Sequence, residues 1–309
     1  MGALGNIWII FVLTLGHVRI SKTTKVYYLL IAVSDLSTVL SHLFWAILCD
    51  SLWILTNGRL FLCLDISSLF SCILMKIWYN LSELSSNYAL VALSIERCIA
   101  ICWPLKSKQI LNQKFTYYLL FICIVPVCIY YLGLIPFSSA IVPFIRVPGF
   151  LCYIDDYNIF GNLFNVSMPI LFLGLHSIIV LFITIILFRK LLYISLKKSA
   201  IIATEKASSR EISTTVTLIF LCLINLVIYG TCLISYVATL VFSYIFTGLA
   251  GILAFSYIIL VLSMSSTVVS HSLNSVVYLA LIPSFRNAAF CRTAHIGTAG
   301  HSTLKASNK

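Results

Sequence analysis

The chain has 309 residues, 61% hydrophobic and 9% charged, with a formal net charge of +11 and a mean hydropathy of +1.06. A water-soluble domain carries about 25% charged and about 45–50% apolar residues, and this much apolar surface cannot be hidden in one core of this length. The composition excludes a soluble enzyme, a nucleic-acid-binding domain and a disordered chain, and 11 cysteines are too dilute for a disulfide-scaffolded miniprotein. A polytopic membrane protein remains.

A helix crossing about 30 Å of hydrocarbon needs about 20 apolar residues. In chain order the apolar runs are Leu4–Gly16, Tyr27–Leu48, Leu69–Cys102, Phe115–Ile135, Leu163–Leu192, Ile212–Val237 and Gly251–Ile282. They are solidly apolar rather than alternating, which selects helices over a β-barrel. The expected fold is an all-α membrane protein with seven transmembrane helices over residues 1–292 and a disordered cytoplasmic tail over 293–309. The first run is short. It has no charged lead-in and no small-residue cleavage site, so it does not read as a signal peptide. The expectation is a first helix truncated at its outer turns; a short helix in a thinned bilayer is the alternative.

Basic residues gather between alternate segments: Arg19, Lys22 and Lys25; Lys106, Lys108 and Lys114; Arg189 to Arg210; and Arg286, Arg292, Lys305 and Lys309, with Arg97 at a segment end. Only Arg59, Lys76 and Arg146 lie elsewhere, and the opposite loops carry Asp50, Asp65, Asp155 and Asp156. The basic side is cytoplasmic, which puts the amino-terminus outside and the carboxyl-terminus inside. The positive charge is then a topology signal with attraction to anionic lipid, and no nucleic-acid partner is needed. No internal repeat supports an inverted-repeat transporter, and the six histidines show no metal-ligand spacing that would suggest a membrane enzyme. The stretch Leu196–Arg210 reads as a short polar loop.

Ionisable groups at membrane depth are costly and therefore functional candidates. Asp35 lies mid-segment in the second run. Lys76, Tyr79, Asn80 and Glu83 fall at i, i+3, i+4 and i+7, on one helical face. That stripe reads as the wall of a ligand cavity, or alternatively as a polar network gluing helices. Glu96 and Arg97 close the third segment at its inner end, where a bare pair of opposite charges would be an interfacial anchor. His271 and Asn274 lie in the seventh. Cys49, Cys63, Cys72 and Cys152 fall near the outer face and allow three pairings. Cys291 is a juxtamembrane palmitoylation candidate, with a free buried thiol as the alternative.

Several short patterns agree in order and spacing. Gly5-Asn6 stands in the first segment and Leu30-Ile-Ala-Val-Ser-Asp35 in the second. Ser94-Ile-Glu96-Arg97-Cys98 is followed by Pro104-Leu105, Pro169 lies in the fifth, and Asn274-Ser275-Val276-Val277-Tyr278 ends the seventh, with Phe285-Arg286 beyond. Across nearly the whole chain this resembles the rhodopsin-like (class A) G-protein-coupled receptors, most nearly the invertebrate neuropeptide type. The departures mark a divergent member. Cys98 follows the inner arginine, the fourth-segment tryptophan is absent, Ile228-Tyr229-Gly230-Thr231 replaces the sixth-segment Cys-Trp-x-Pro, and Ser275 replaces a proline. Gly230 is a candidate substitute hinge.

The resemblance implies a plasma-membrane receptor whose extracellular ligand drives a heterotrimeric G protein. It implies a Cys72–Cys152 disulfide, leaving Cys49 and Cys63 as candidates for a second bridge, and a short amphipathic helix from Phe285. Glu96 would hold Arg97 at rest, and Arg97 would turn toward Tyr278 on activation, with Asn274 part of the same switch. Asp35, Ser86, Ser270 and Asn274 would match an allosteric sodium site, with His271 an unusual neighbour; no other cofactor is expected. Tyr79 stands where monoamine receptors carry an aspartate, and no seventh-segment lysine is present for a retinal Schiff base. The acidic outer loops, with Asp155 and Asp156, would steer a basic or amidated peptide toward Glu83, which could pair with a ligand arginine; Tyr229 joins this ligand set. The alternatives are a small-molecule chemosensory receptor of the same fold and a small transporter.

Overall fold

The computed structural model describes residues 2–15, 20–44, 68–143, 150–154, 158–161, 163, 174–198, 205–245, 267–282 and 285–286. These are almost entirely helical: α1 Gly2–Leu15, α2 Lys22–Phe44, α3 Leu69–Cys102, α4 Pro104–Ile110, α5 Gln113–Ser138, α6 His176–Lys198 and α7 Glu205–Ile245, then α8 Thr267–Leu281. Stretches of α2, α3, α5, α6 and α7 are long and apolar enough to cross a membrane, whereas α1 and α8 are shorter apolar helices. The chain is a helical membrane protein. Of the seven expected segments, five reach crossing length among the described residues.

Local chemistry sets the boundaries. Ser68 caps α3, its hydroxyl accepting from the Ser71 backbone N–H at 3.2 Å while the Ser71 hydroxyl accepts from the Ser68 N–H at 3.0 Å. This reciprocal capping satisfies two donors that the first turn would otherwise leave orphaned. Pro104 ends α3, because a residue before proline avoids the helical region; Trp103 sits at φ −129°, ψ 66° and the proline opens α4. Asn112 caps α5 by accepting from the Phe115 N–H at 2.9 Å. The stretch expected as a loop at Leu196–Arg210 is shorter than that: α6 runs to Lys198 and α7 starts at Glu205. Good helix formers such as Glu205, Lys206 and Ala207 let the helix extend through a polar sequence.

One β-hairpin interrupts the expected all-helical pattern. β1 (Ser139–Pro143) pairs antiparallel with β2 (Phe150–Ile154), with Ile141 opposite Cys152, and β1 touches α3.

The central helix is α3, which packs on α2, α5 and α6, while α1 lies on α2 and α6 on α7. The core includes Ile9, Tyr28, Ile31, Leu93, Leu187 and Leu218, all 1% exposed or less. By contrast Tyr117, Phe121 and Ile129 of α5 and Phe182 of α6 project outward. A soluble surface would not tolerate such a skin, whereas lipid does. At the α1–α8 contact, a Cβ on Gly5 would overlap the Ser275 side chain and one on Gly2 would overlap Ser272. Asn6 reinforces the contact by donating from Nδ2 to the His271 carbonyl at 3.2 Å. Tyr28, Tyr278 and Phe285 form an aromatic trio, with Tyr28 and Tyr278 centroids 4.8 Å apart.

Candidate functional site

Three buried polar clusters lie along α3. An apolar interior tolerates a polar group best when it is hydrogen-bonded, and in each cluster the buried carboxylate is bonded by donors that join α3 to other helices.

The first surrounds Glu83. Its Oε1 accepts from the Tyr229 hydroxyl of α7 at 3.1 Å, and that hydroxyl accepts from Asn87 Nδ2 at 2.6 Å. Glu83 and Asn87 are one turn apart on α3, so a single phenol from α7 bridges both. The Tyr229 ring stands 5.6 Å from His176, which also lies edge-on to Tyr88 at 5.9 Å. His176 is 2% exposed, and neither of its ring nitrogens has a hydrogen-bond partner among the described residues. Tyr79 meets the His42 ring of α2 at 4.9 Å. Here α2, α3, α6 and α7 converge on one buried carboxylate.

The four-residue stripe of α3 therefore divides. Glu83 and Tyr79 join this cluster, whereas the Asn80 amide turns back to the Lys76 carbonyl of its own helix at 2.7 Å. Lys76 is half-buried. Another face of α3 glues helices: Trp78 Nε1 donates to Ser37 at 2.7 Å, and Ser37 meets Ser82 at 2.8 Å. Asn87 and His176 escaped the sequence reading. Asn87 continues the i, i+4 series from Glu83 and was there to be found, but nothing local marks His176.

The second cluster centres on Asp35, which is fully buried. Its Oδ1 accepts from the Ser86 hydroxyl and from His271 Nδ1, the latter at 2.6 Å, and its Oδ2 accepts from Asn274 Nδ2 at 2.7 Å. α2, α3 and α8 meet at this carboxylate. Ser270 is nearby in the chain, and its hydroxyl meets no hydrogen-bonding group among the described residues.

The third lies at the C-terminal end of α3. Glu96, 2% exposed, sits 3.6 Å from Arg97 and accepts from the hydroxyls of Thr23 and Thr116, each at 3.3 Å. Arg97 Nη2 donates to Thr24, whose backbone N–H is in turn held by Ser21 at 3.1 Å. A bare interfacial anchor would leave Glu96 in water; instead three helices enclose it. Sequence reading missed these threonines because hydroxyls at helix ends are common and carry no distinctive spacing. The Tyr278 hydroxyl has no partner among the described residues.

Along the α3 axis Glu83 and Glu96 are separated by about 20 Å, and Ser86 of the Asp35 cluster lies between them. The three clusters thus form a polar column through most of a membrane thickness.

Cys72 is buried and disulfide-bonded. Side-chain contacts of Cys152 lie outside the described residues, as do Cys49, Cys63, Asp155, Asp156, Cys291 and most of the expected amphipathic segment. Cys98, Cys102, Cys123, Cys128, Cys222 and Cys232 are free thiols. No protein-family model matches the chain, and no curated protein matches it.

Proposed function

We propose that the chain is a divergent rhodopsin-like receptor of the plasma membrane, which binds an extracellular peptide near Glu83 and activates a heterotrimeric G protein at the Arg97 end. The observation that carries this reading is the Glu96–Arg97 pair, its carboxylate buried and its two members held by Thr23, Thr24 and Thr116 at the end of the central helix. A half-buried arginine held by a hydroxyl contact beside a buried carboxylate is a latch that a second conformation can release, since a two-state element needs differential contacts in its two states. Supporting it, the basic loops favour placing this end in the cytoplasm, and the carboxylate of Glu83 suits a cationic ligand group.

A second reading has its own support. Glu83, Asn87, Tyr229 and His176 are each 8% exposed or less, which favours a small cationic molecule enclosed by the helices over a peptide resting on loops.

The test is G-protein dissociation in cells expressing the full chain, challenged with a library of basic and amidated peptides and a library of small amines and volatile molecules. Activation by peptides supports the first reading and activation by small molecules the second. If neither library gives a response, and the chain sits at the cell surface with its amino-terminus inside, the receptor proposal falls.

A further inference from the structure

The resemblance assigns Asp35, Ser86, Ser270 and Asn274 to a sodium ion, and the geometry of those residues tests the assignment. A hard cation is held by lone pairs on oxygen atoms. Around Asp35 the direction is reversed. The Ser86 hydroxyl and His271 Nδ1 both turn to Oδ1, and the Asn274 amide nitrogen turns to Oδ2. Two lone pairs would repel at the 2.6 Å between His271 Nδ1 and the carboxylate, so Nδ1 carries the hydrogen. Each neighbour thus directs a hydrogen at the carboxylate, so both Asp35 oxygens are taken up by protein donors, while the Asn274 amide oxygen meets no hydrogen-bonding group among the described residues. Ser270, which would complete the oxygen set, makes no hydrogen bond to Asp35. These residues do not fit a sodium ion.

We propose that the His271 ring takes the position the resemblance gives to the ion, so that α2, α3 and α8 are joined at Asp35 by a fixed side chain and the protein is indifferent to sodium. Two observations make the ring a built part of the junction. Both partners are buried, His271 at 1% and Asp35 at 0% exposure, so neither swings out to solvent without repacking. The main chain of His271 is also fixed from a third side, its carbonyl accepting from Asn6 of α1 at 3.2 Å. To admit sodium at Oδ1, His271 would have to withdraw its Nδ1–H from Asp35, leaving that donor unpaired in an apolar interior. A protein side chain cannot be exchanged with the medium, so ionic composition loses its hold on this junction. His271 is a positioning residue in this account.

The experiment is thermal unfolding of the purified full chain in detergent, followed by tryptophan fluorescence, in sodium chloride and in choline chloride at equal ionic strength. The readout needs neither agonist nor G protein, so its outcome stands apart from the receptor reading. The unsubstituted protein is expected to melt at one temperature in both salts. His271→Ser removes the ring and supplies an oxygen; it should melt lower in choline and recover by about 2 °C or more in sodium, with the recovery lost when Asp35→Asn is added. A sodium-specific rise in the unsubstituted protein that Asp35→Asn abolishes would overturn the proposal, as would a folded His271→Ser variant that ignores sodium. Should His271→Ser fail to fold, His271→Asn, which keeps one donor and adds an oxygen, answers the same question beside the unsubstituted protein.

Discussion

At the scale of single residues, the hydroxyl of Tyr229 holds the Glu83 cluster together, since it donates to Glu83 and accepts from Asn87. Removing it in Tyr229→Phe leaves two buried polar groups short of a partner, which costs about 1–3 kcal/mol of stability; a lower melting temperature in detergent is the expected outcome. Glu83→Gln keeps the shape and removes the charge. If the ligand presents a cation, potency should fall about ten- to a hundredfold, the equivalent of a lost charge-assisted bond, while neutral analogues lose little. Unchanged potency would return Glu83 to a structural role. Arg97→Ala opens the Thr24 contact and removes the cation beside Glu96, whose carboxylate keeps the Thr23 and Thr116 hydroxyls. Surface expression should persist while G-protein activation drops to background, and normal signalling from that variant would discredit the switch. Asp35, Glu83, Glu96 and Arg97 were legible in the sequence because a charge in an apolar run is conspicuous. Of their uncharged partners, Ser86, Asn274 and Tyr229 came with the family resemblance, whereas Thr23, Thr24, Thr116 and Asn87 were not read, since a threonine or asparagine at membrane depth costs little and is common.

At the scale of elements, the bounds of α3 were readable to the residue. Its apolar run is flanked by Ser68 and Pro104, two unambiguous stop signals. Those of α7 were not, because its polar first turns have helix propensity but no apolar period to reveal it. The hairpin β1–β2 escaped too: a five-residue strand such as Phe150–Ile154 is as apolar as the helices around it, and short runs cannot be assigned by periodicity alone. Glycines show how an element's surroundings decide its tolerance. Gly5→Leu would force α1 off α8 through Ser275, with a cost of about 1–3 kcal/mol or more from overpacking. Around Gly230 nothing lies within 4 Å of an added Cβ. Gly230→Ala should therefore raise the melting temperature, alanine being about 1 kcal/mol better inside a helix. If α7 bends at Gly230 in place of the missing proline, the same change should reduce maximal signalling at unchanged surface expression. A stabilised variant that signals fully would remove the hinge.

At the scale of the whole molecule, composition alone led to a membrane protein, and the outward-facing aromatic side chains of α5 and α6 fit a bundle whose solvent is lipid. The convergence of α2, α3 and α8 on Asp35 was expected only through the family resemblance, since no local pattern ties residues 35, 86 and 271 together; what the resemblance did not give is the His271 ring as a direct partner of the carboxylate. Orientation is a separate matter, because no helix contact depends on which side is cytoplasmic. It rests on the basic residues. Charges close to segment ends resist crossing the bilayer during insertion, and Arg19 with Lys22 and Lys25, Lys106 with Lys108, and Lys197 with Lys198 all stand at or beside helix ends. With the seven crossings expected from the apolar runs, these clusters would share one side and the termini would lie on opposite sides. An epitope at the carboxyl-terminus should be invisible to antibody until cells are permeabilised, while one at the amino-terminus is stained on intact cells. Replacing Arg19, Lys22 and Lys25 with neutral residues weakens the bias at the first loop but leaves the later clusters. The expected result is a mixed population, with a minority of chains inverted in the same staining. Two termini on one side in the unsubstituted protein would mean an even number of crossings, and Arg97 could then not face the G protein while Glu83 faces the ligand.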